Sequence, residues 1–151
     1  MKIAVFPGSF DPITRGHESI VNRASSLFDV IYVAIGVNHN KKYLFDLETR
    51  KEFIKATFSS NKKVKVIDYQ KLTIELCQDL KANYILRGLR NGGDYDYEYS
   101  ISQANRQMDE RIETIFLATE PKFSAINSSI VRDIYRNGGD IKAYIPNAIK
   151  L

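Results

Sequence analysis

Residues 5–17 read Val-Phe-Pro-Gly-Ser-Phe-Asp-Pro-Ile-Thr-Arg-Gly-His, and this stretch decides the fold. Ile3, Ala4, Val5 and Phe6 form a short apolar run, as a strand buried on both faces requires. Pro7 and Gly8 are expected to end it, with Gly8 letting the backbone approach whatever sits above the strand end. Past the turn, Ile20, Val21, Ala24, Leu27 and Phe28 recur at helical spacing, which places His17 in the first turn of a helix. Unpaired backbone N–H groups and the positive end of the helix dipole favour an anion there.

The same alternation continues along the chain. Val30–Ile35, Val64–Ile67, Tyr84–Leu86 and Thr114–Ala118 read as further strands. Helices are expected over about 47–58, with Asp46 as N-cap, and over 72–80 and 94–110. One more begins near Ser128, read as its N-cap, and stops at Asn137-Gly138-Gly139. Pro146 is placed to start a final short turn. Strand–helix alternation of this kind predicts an α/β fold: a doubly wound, five-stranded, mainly parallel sheet in one domain over 1–151. Ligands in such sheets bind beyond the carboxyl ends of the strands, at the switch in strand order.

At 151 residues, 44% hydrophobic and 26% charged, the chain has the size and composition of a folded domain with a sizeable core. A net charge of +4 favours anionic ligands but is too diffuse to argue for nucleic acid. The N-terminus is broken by proline too early for a signal peptide, and no stretch approaches the ~20 apolar residues of a membrane span. A single cysteine, Cys77, fits a reducing cytoplasm and, set in an apolar run, is read as a buried, inert thiol.

Several polar residues fall just after predicted strands. Ser9 and His17 follow the first, Lys41 and Lys42 the second, Arg87 and Arg90 the fourth, and Ser128 and Ser129 the fifth. Two arginines three apart around Gly88 offer planar forks suited to phosphate oxygens, and a bare salt-bridge role is not expected of them. Glu98 and Asn105 lie seven apart, on one helix face. His39, in a polar loop, reads as solvated. No His/Cys pair stands at metal-ligand spacing, and the acidic residues are scattered.

The run G-x-F-D-P-x-T-x-G-H, from Gly8 to His17, resembles the nucleotidylyltransferase superfamily. Lys41-Lys42-Tyr43-Leu44-Phe45, Arg87-Gly88-Leu89-Arg90, Tyr97-Glu98 with Asn105, and Ile126-Asn127-Ser128-Ser129-Ile130-Val131-Arg132 bring it closest to the bacterial phosphopantetheine adenylyltransferase family. That resemblance implies catalytic roles for His17, Lys41 and Arg90, with His17 on the α-phosphate and Arg90 on the outer phosphates. It implies nucleotide contacts from Ser9, Phe10, His17, Gly88, Leu89, Arg90, Glu98 and the segment Phe123, Ser124, Ala125, Ile126, Asn127, Ser128 and Ser129. Ser9, Lys41, Thr73, Arg87 and Asn105 would hold the acceptor. Three departures stand out: Asn127 replaces the first serine of the I-S-S-T signature, Ser129 stands where many relatives have Thr, and Thr73 replaces a commonly apolar residue.

The activity so implied joins ATP, carrying Mg²⁺ on its phosphates, to 4′-phosphopantetheine, giving dephospho-coenzyme A and pyrophosphate. Coenzyme A feedback and a homohexamer come with the resemblance, whereas no nucleic-acid or membrane partner is expected. Joining two anions calls for positioned donors and positive charge rather than a nucleophile–base pair. Alternative readings are another superfamily member, acting on nicotinate mononucleotide or glycerol phosphate, or a non-catalytic nucleotide-binding module. A redox dinucleotide domain is disfavoured because no G-x-G-x-x-G follows the first strand.

Overall fold

The apolar runs become five strands in the computed structural model, which describes residues 1–151. They are β1 (Ile3–Gly8), β2 (Val30–Gly36), β3 (Val64–Tyr69), β4 (Tyr84–Leu89) and β5 (Glu113–Ala118). All neighbours pair in parallel, in the order β3-β2-β1-β4-β5. The helices are α1 (Arg15–Ala24), α2 (Leu47–Thr57), α3 (Thr73–Leu80), α4 (Gly92–Met108) and α5 (Ser128–Arg136). This is the expected α/β architecture. No helix is long and apolar enough to cross a membrane.

Two apolar clusters cover the sheet. The larger joins Ala4, Phe6, Val33 and Leu86 to Ile20, Val21, Ile54 and Val131, and the smaller sets Val5, Ala34 and Ile85 against Ile74, Leu76 and Cys77. Successive residues of β1 thus enter opposite clusters, the period-2 signature of a strand buried on both faces. Ile141, Ile145 and Ile149 of the C-terminal segment complete the larger cluster. Arg15 ties that segment to α1, donating to Ile145 O at 2.9 Å and Lys142 O at 3.0 Å.

The switch in strand order falls between β1 and β4, and there the ladder is short: only Ala4–Tyr84 and Val5–Ile85 pair. The strands then part, which opens a crevice at their carboxyl ends. Pro7 and Gly8 do not terminate β1, contrary to the reading from sequence; both continue in register with Ala34 and Ile35 of β2. Pro7 is tolerated because its carbonyl faces the crevice, where it accepts from Arg87 Nη1 at 2.5 Å. Its missing N–H faces the same gap, where no ladder bond is lost.

Helix starts follow local side-chain chemistry. Asp46 caps α2 as expected, its Oδ1 accepting from Thr49 N at 2.8 Å. Asn127, rather than Ser128, caps α5 by accepting from Ile130 N at 2.9 Å, and Ser128 is the first helical residue. Similarly α4 begins at Gly92 behind Asn91, two residues before the expected start, because the Asn91 side chain accepts from Asp94 N. Cys77 is buried as read, and burial pushes its thiol pKa up to about 12.

Candidate active site

The crevice between β1 and β4 opens into a cleft of about 340 Å³. It gathers Ser9 and Phe10 from the first turn, His17 from the start of α1, Lys41 from beyond β2, Gly88 from β4 and Arg90 just past it, and Ile126, Asn127, Ser128 and Ser129 from the approach to α5 and its first turn. Residues more than a hundred positions apart thus share one cradle. A second chamber of about 300 Å³ adjoins it, lined by Thr73, Asn105, Tyr69, Ile85, Ser102 and Thr114 among others. Pro7, Gly8, Ser9, Arg87 and Glu98 belong to both walls.

His17 sits at the third position of α1 in a reciprocal cap with Thr14. The Thr14 amide, which can only donate, lies 3.0 Å from His17 Nδ1. Nδ1 is therefore the acceptor, and the ring proton resides on Nε2. Phe10 packs edge-on against the imidazole, with ring centroids 5.1 Å apart. Desolvation, then the charges of Arg87 and Arg90, lower the His17 pKa from 6.5 to about 4. The ring is a neutral donor at physiological pH.

That depression fixes a pH dependence. Between pH 6.5 and about 4 the unfolded chain takes up a proton that folded His17 refuses. The stability contribution is thus complete above pH 6.5 and is lost as the pH falls toward 4. An NMR titration of the His17 ring should give a midpoint near 4; a midpoint near 6.5 would overturn this placement.

The turn before α1 is packed from within. Phe10 is buried and has a positive φ of 46°, which brings its ring back over β1. A Cβ on Gly8 would meet that ring at 3.0 Å, so the close neighbour for which Gly8 makes room is Phe10. Asp11, 2% exposed, accepts from Leu44 N at 2.8 Å and Phe45 N at 2.9 Å. This holds the loop that carries Lys41, whose Nζ donates to Ser9 Oγ at 3.4 Å.

Two helix N-termini open onto the cleft. In α1 the Gly16 amide has no partner within the chain, and in α5 neither the Ser128 nor the Ser129 amide has one. Such groups, with the dipole behind them, suit phosphate oxygens. Arg132, one turn into α5, donates to Asp11 O at 2.9 Å and Ser129 Oγ at 3.1 Å. Ser128 Oγ donates to Pro12 O at 2.8 Å, which fastens α5 to the first turn.

Four cations, Lys41, Arg87, Arg90 and Arg132, line the cleft with three carboxylates, Asp11, Asp94 and Glu98. Both strand-end arginines are ion-paired, contrary to the expectation from sequence. Arg87 grips Glu98 bidentately at 2.8 Å and 2.5 Å, and Arg90 Nε lies 3.2 Å from Asp94 Oδ2. The reason is the path of α4, which folds back over β4 and delivers its acidic residues to the strand end. Before a phosphate binds, these guanidinium groups are held in place by carboxylates.

Four residues expected at the nucleotide lie off these walls. Phe123 and Ser124 belong to a 3₁₀ turn over 121–123 and its cap, and Ala125 follows it. Leu89, the last residue of β4, is absent from the lining of both chambers. Conversely, Asp94 and Thr119 line the cleft without having been singled out, and Gly16 and Arg132, which stood inside the quoted motifs, line it too. Asp94 and Thr119 carry no local signal. His39 is exposed, 3.1 Å from Gln70 Oε1, as its polar loop suggested.

Comparison with known proteins identifies the family. The cytidylyltransferase-like family model matches residues 5–134. Phosphopantetheine adenylyltransferase from Flavobacterium psychrophilum is 54% identical, with 100% of this chain and 99% of the relative aligned. The enzyme of the same name from Bacteroides thetaiotaomicron is 41% identical, again over 100% and 99%. A solved structure from Vibrio parahaemolyticus, assigned provisionally as a nicotinate-nucleotide adenylyltransferase, superposes with a TM-score of 0.73 at 22% identity. It covers 98% of this chain and 96% of that one, a likeness that shows the fold alone. With full-length identity of this order to enzymes of one name, the chain belongs to the phosphopantetheine adenylyltransferase family within the cytidylyltransferase-like nucleotidyltransferases.

Proposed function

We propose that the chain transfers the adenylyl group of ATP to the phosphate of 4′-phosphopantetheine, releasing pyrophosphate and 3′-dephospho-coenzyme A. The observation that carries this reading is the convergence of an uncharged His17 Nε2–H donor, free amides of two helix N-termini and four cations on one cleft. An acceptor phosphate oxygen attacks the α-phosphorus as the bond to the bridging oxygen of the β-phosphate breaks. The electron pair leaves with pyrophosphate, and no covalent enzyme intermediate forms. Repulsion between the two anions is the main obstacle, and fixed donors lower it without reorganising.

In this scheme the triphosphate lies along the N-termini of α1 and α5, with His17 on the α-phosphate and Arg90 on the outer phosphates. The acceptor occupies the second chamber, with Thr73 and Asn105 along its length and Lys41, Ser9 and Arg87 at its phosphate. Glu98, on the shared wall, would contact the ribose. Each cleft carboxylate is engaged by an arginine or by amides. Magnesium accordingly enters as part of the MgATP substrate, held by phosphates and water. Coenzyme A, which contains the product's pantetheine arm, would compete for the same chambers. Assembly as a homohexamer in the cytoplasm completes the reading, and the exposed Tyr95, Tyr97 and Tyr99 of α4 offer surface for contacts between copies.

The test is pyrophosphate release from ATP and MgCl₂ on addition of 4′-phosphopantetheine. Release should require the acceptor and should not occur with nicotinate mononucleotide, or with glycerol 3-phosphate and CTP. A folded chain that releases none with phosphopantetheine contradicts the proposal.

A further inference from the structure

The first turn of α2 carries a buried cation that the reaction scheme leaves unused. Arg50 is 2% exposed. It forms no ion pair, whereas Arg87 and Arg90 of the cleft each pair with a carboxylate. Its partners are neutral: Ser9 O at 2.9 Å, Phe45 O at 3.0 Å, and the face of the Tyr43 ring, 4.0 Å from the guanidinium carbon. Burying a charge without a counter-ion is unfavourable, so a merely structural filler would be expected to be apolar.

The two carbonyls that it holds belong to the two loops that meet the phosphates. The chain has a single cis peptide, Asp11–Pro12, so the Ser9–Phe10 peptide is trans. In a trans peptide the carbonyl and the following N–H point in opposite directions. Fixing the Ser9 carbonyl on the buried guanidinium therefore turns the Phe10 N–H away from it, toward the cleft that Phe10 lines. That N–H has no partner within the chain. On the second loop, Arg50 takes the Phe45 carbonyl while Asp11 takes the Leu44 and Phe45 amides. Segment 43–45 is thus clamped on both sides, and with it the reach of Lys41 to Ser9.

We infer that Arg50 is a positioning residue for the transfer, acting through the Ser9 and Phe45 carbonyls to present the Phe10 amide and the Lys41 ammonium to the reacting phosphates. Its unpaired charge also adds to the field on the phosphates from behind the turn. The inference rests on the adenylyl-transfer reading, because it assigns what these two donors serve.

The experiment combines amide NMR with kinetics on the full chain. In the wild type, titration with inorganic pyrophosphate should shift the Phe10 amide resonance; an unmoved Phe10 amide overturns the inference, whatever any variant does. In Arg50→Gln that shift should fall at least about fivefold, and kcat should fall about 100-fold while the ATP dissociation constant changes less than about threefold. Arg50→Lys, which keeps the charge and one donor, should recover about tenfold of the lost kcat. Should Arg50→Gln not fold, the wild-type titration and Arg50→Lys decide: Arg50→Lys should then fall about tenfold below wild type in kcat, with the ATP dissociation constant again little changed. A kcat for Arg50→Gln within about threefold of wild type, or equal losses in kcat and nucleotide affinity, contradicts the assignment. Absence of turnover in the wild type, with the Phe10 shift present, would sink the adenylyl-transfer reading while leaving the anion-presenting role intact.

Discussion

Replacing His17 by Gln should lower kcat by about 10²- to 10³-fold while leaving the dissociation constant of ATP within about threefold. The argument begins at the cap of α1. His17 occupies the third helical position, where its Nδ1 accepts from Thr14 N and its own amide donates to Thr14 Oγ1. Glutamine is favoured at that position and can reach back in the same way, so the helix start and the melting temperature should be retained. What glutamine cannot do is hold a donor where the imidazole Nε2–H lies, backed by the rings of Phe6 and Phe10. A donor aimed at charge that develops only in the transition state affects kcat and not ground-state binding. Full activity in His17→Gln would show that the imidazole serves only the cap.

Glu98→Gln should destabilise the unliganded chain by about 2 kcal/mol and enlarge the melting-temperature rise produced by phosphate-bearing acceptors. In the free chain Glu98 satisfies Arg87 bidentately, and the two side chains are 10% and 30% exposed. Removing one charge of such a pair leaves the other partly buried and uncompensated; the residual exposure of Arg87 keeps the loss below that of a fully buried pair. An incoming phosphate must compete with Glu98 for the Arg87 fork. With glutamine there the competition is gone, so the ligand restores more stability than it adds to the wild type. Unchanged stability in the free variant, measured by urea denaturation, would mean that the ion pair contributes nothing, and the shared wall would need another explanation.

The alternation of strands and helices was legible because each central parallel strand is covered on both faces and so reads as an unbroken apolar run. The convergence of Ser9, His17, Lys41, Arg90 and Ser128 was legible for a related reason: polar residues directly after parallel strands share one rim. Finer points were hidden where local signals compete. Asn127, Ser128 and Ser129 are three successive residues that all cap well, and only the fold selects Asn127. Pro7 reads as a strand end until the early parting of β1 and β4 is known.

Pairings between distant elements had no signature at all. Arg87 and Glu98 stand eleven positions apart, and nothing local says that α4 returns over the strand end. Arg50 lies in the polar run Glu48-Thr49-Arg50-Lys51-Glu52, in which nothing local marks one residue for burial. Its burial depends on both phosphate-facing loops packing over the start of α2. Asp11 stands beside Pro12 in the first turn with no local sign of a distant partner, yet its carboxylate reaches across to the Lys41 loop.

The most direct test of the common cradle is a crystal structure with a non-hydrolysable ATP analogue and 4′-phosphopantetheine. The account predicts an α-phosphate oxygen about 3 Å from His17 Nε2, with the acceptor phosphate between Lys41 and Arg87. A triphosphate bound elsewhere, or an imidazole turned to present Nδ1 to the nucleotide, would contradict it.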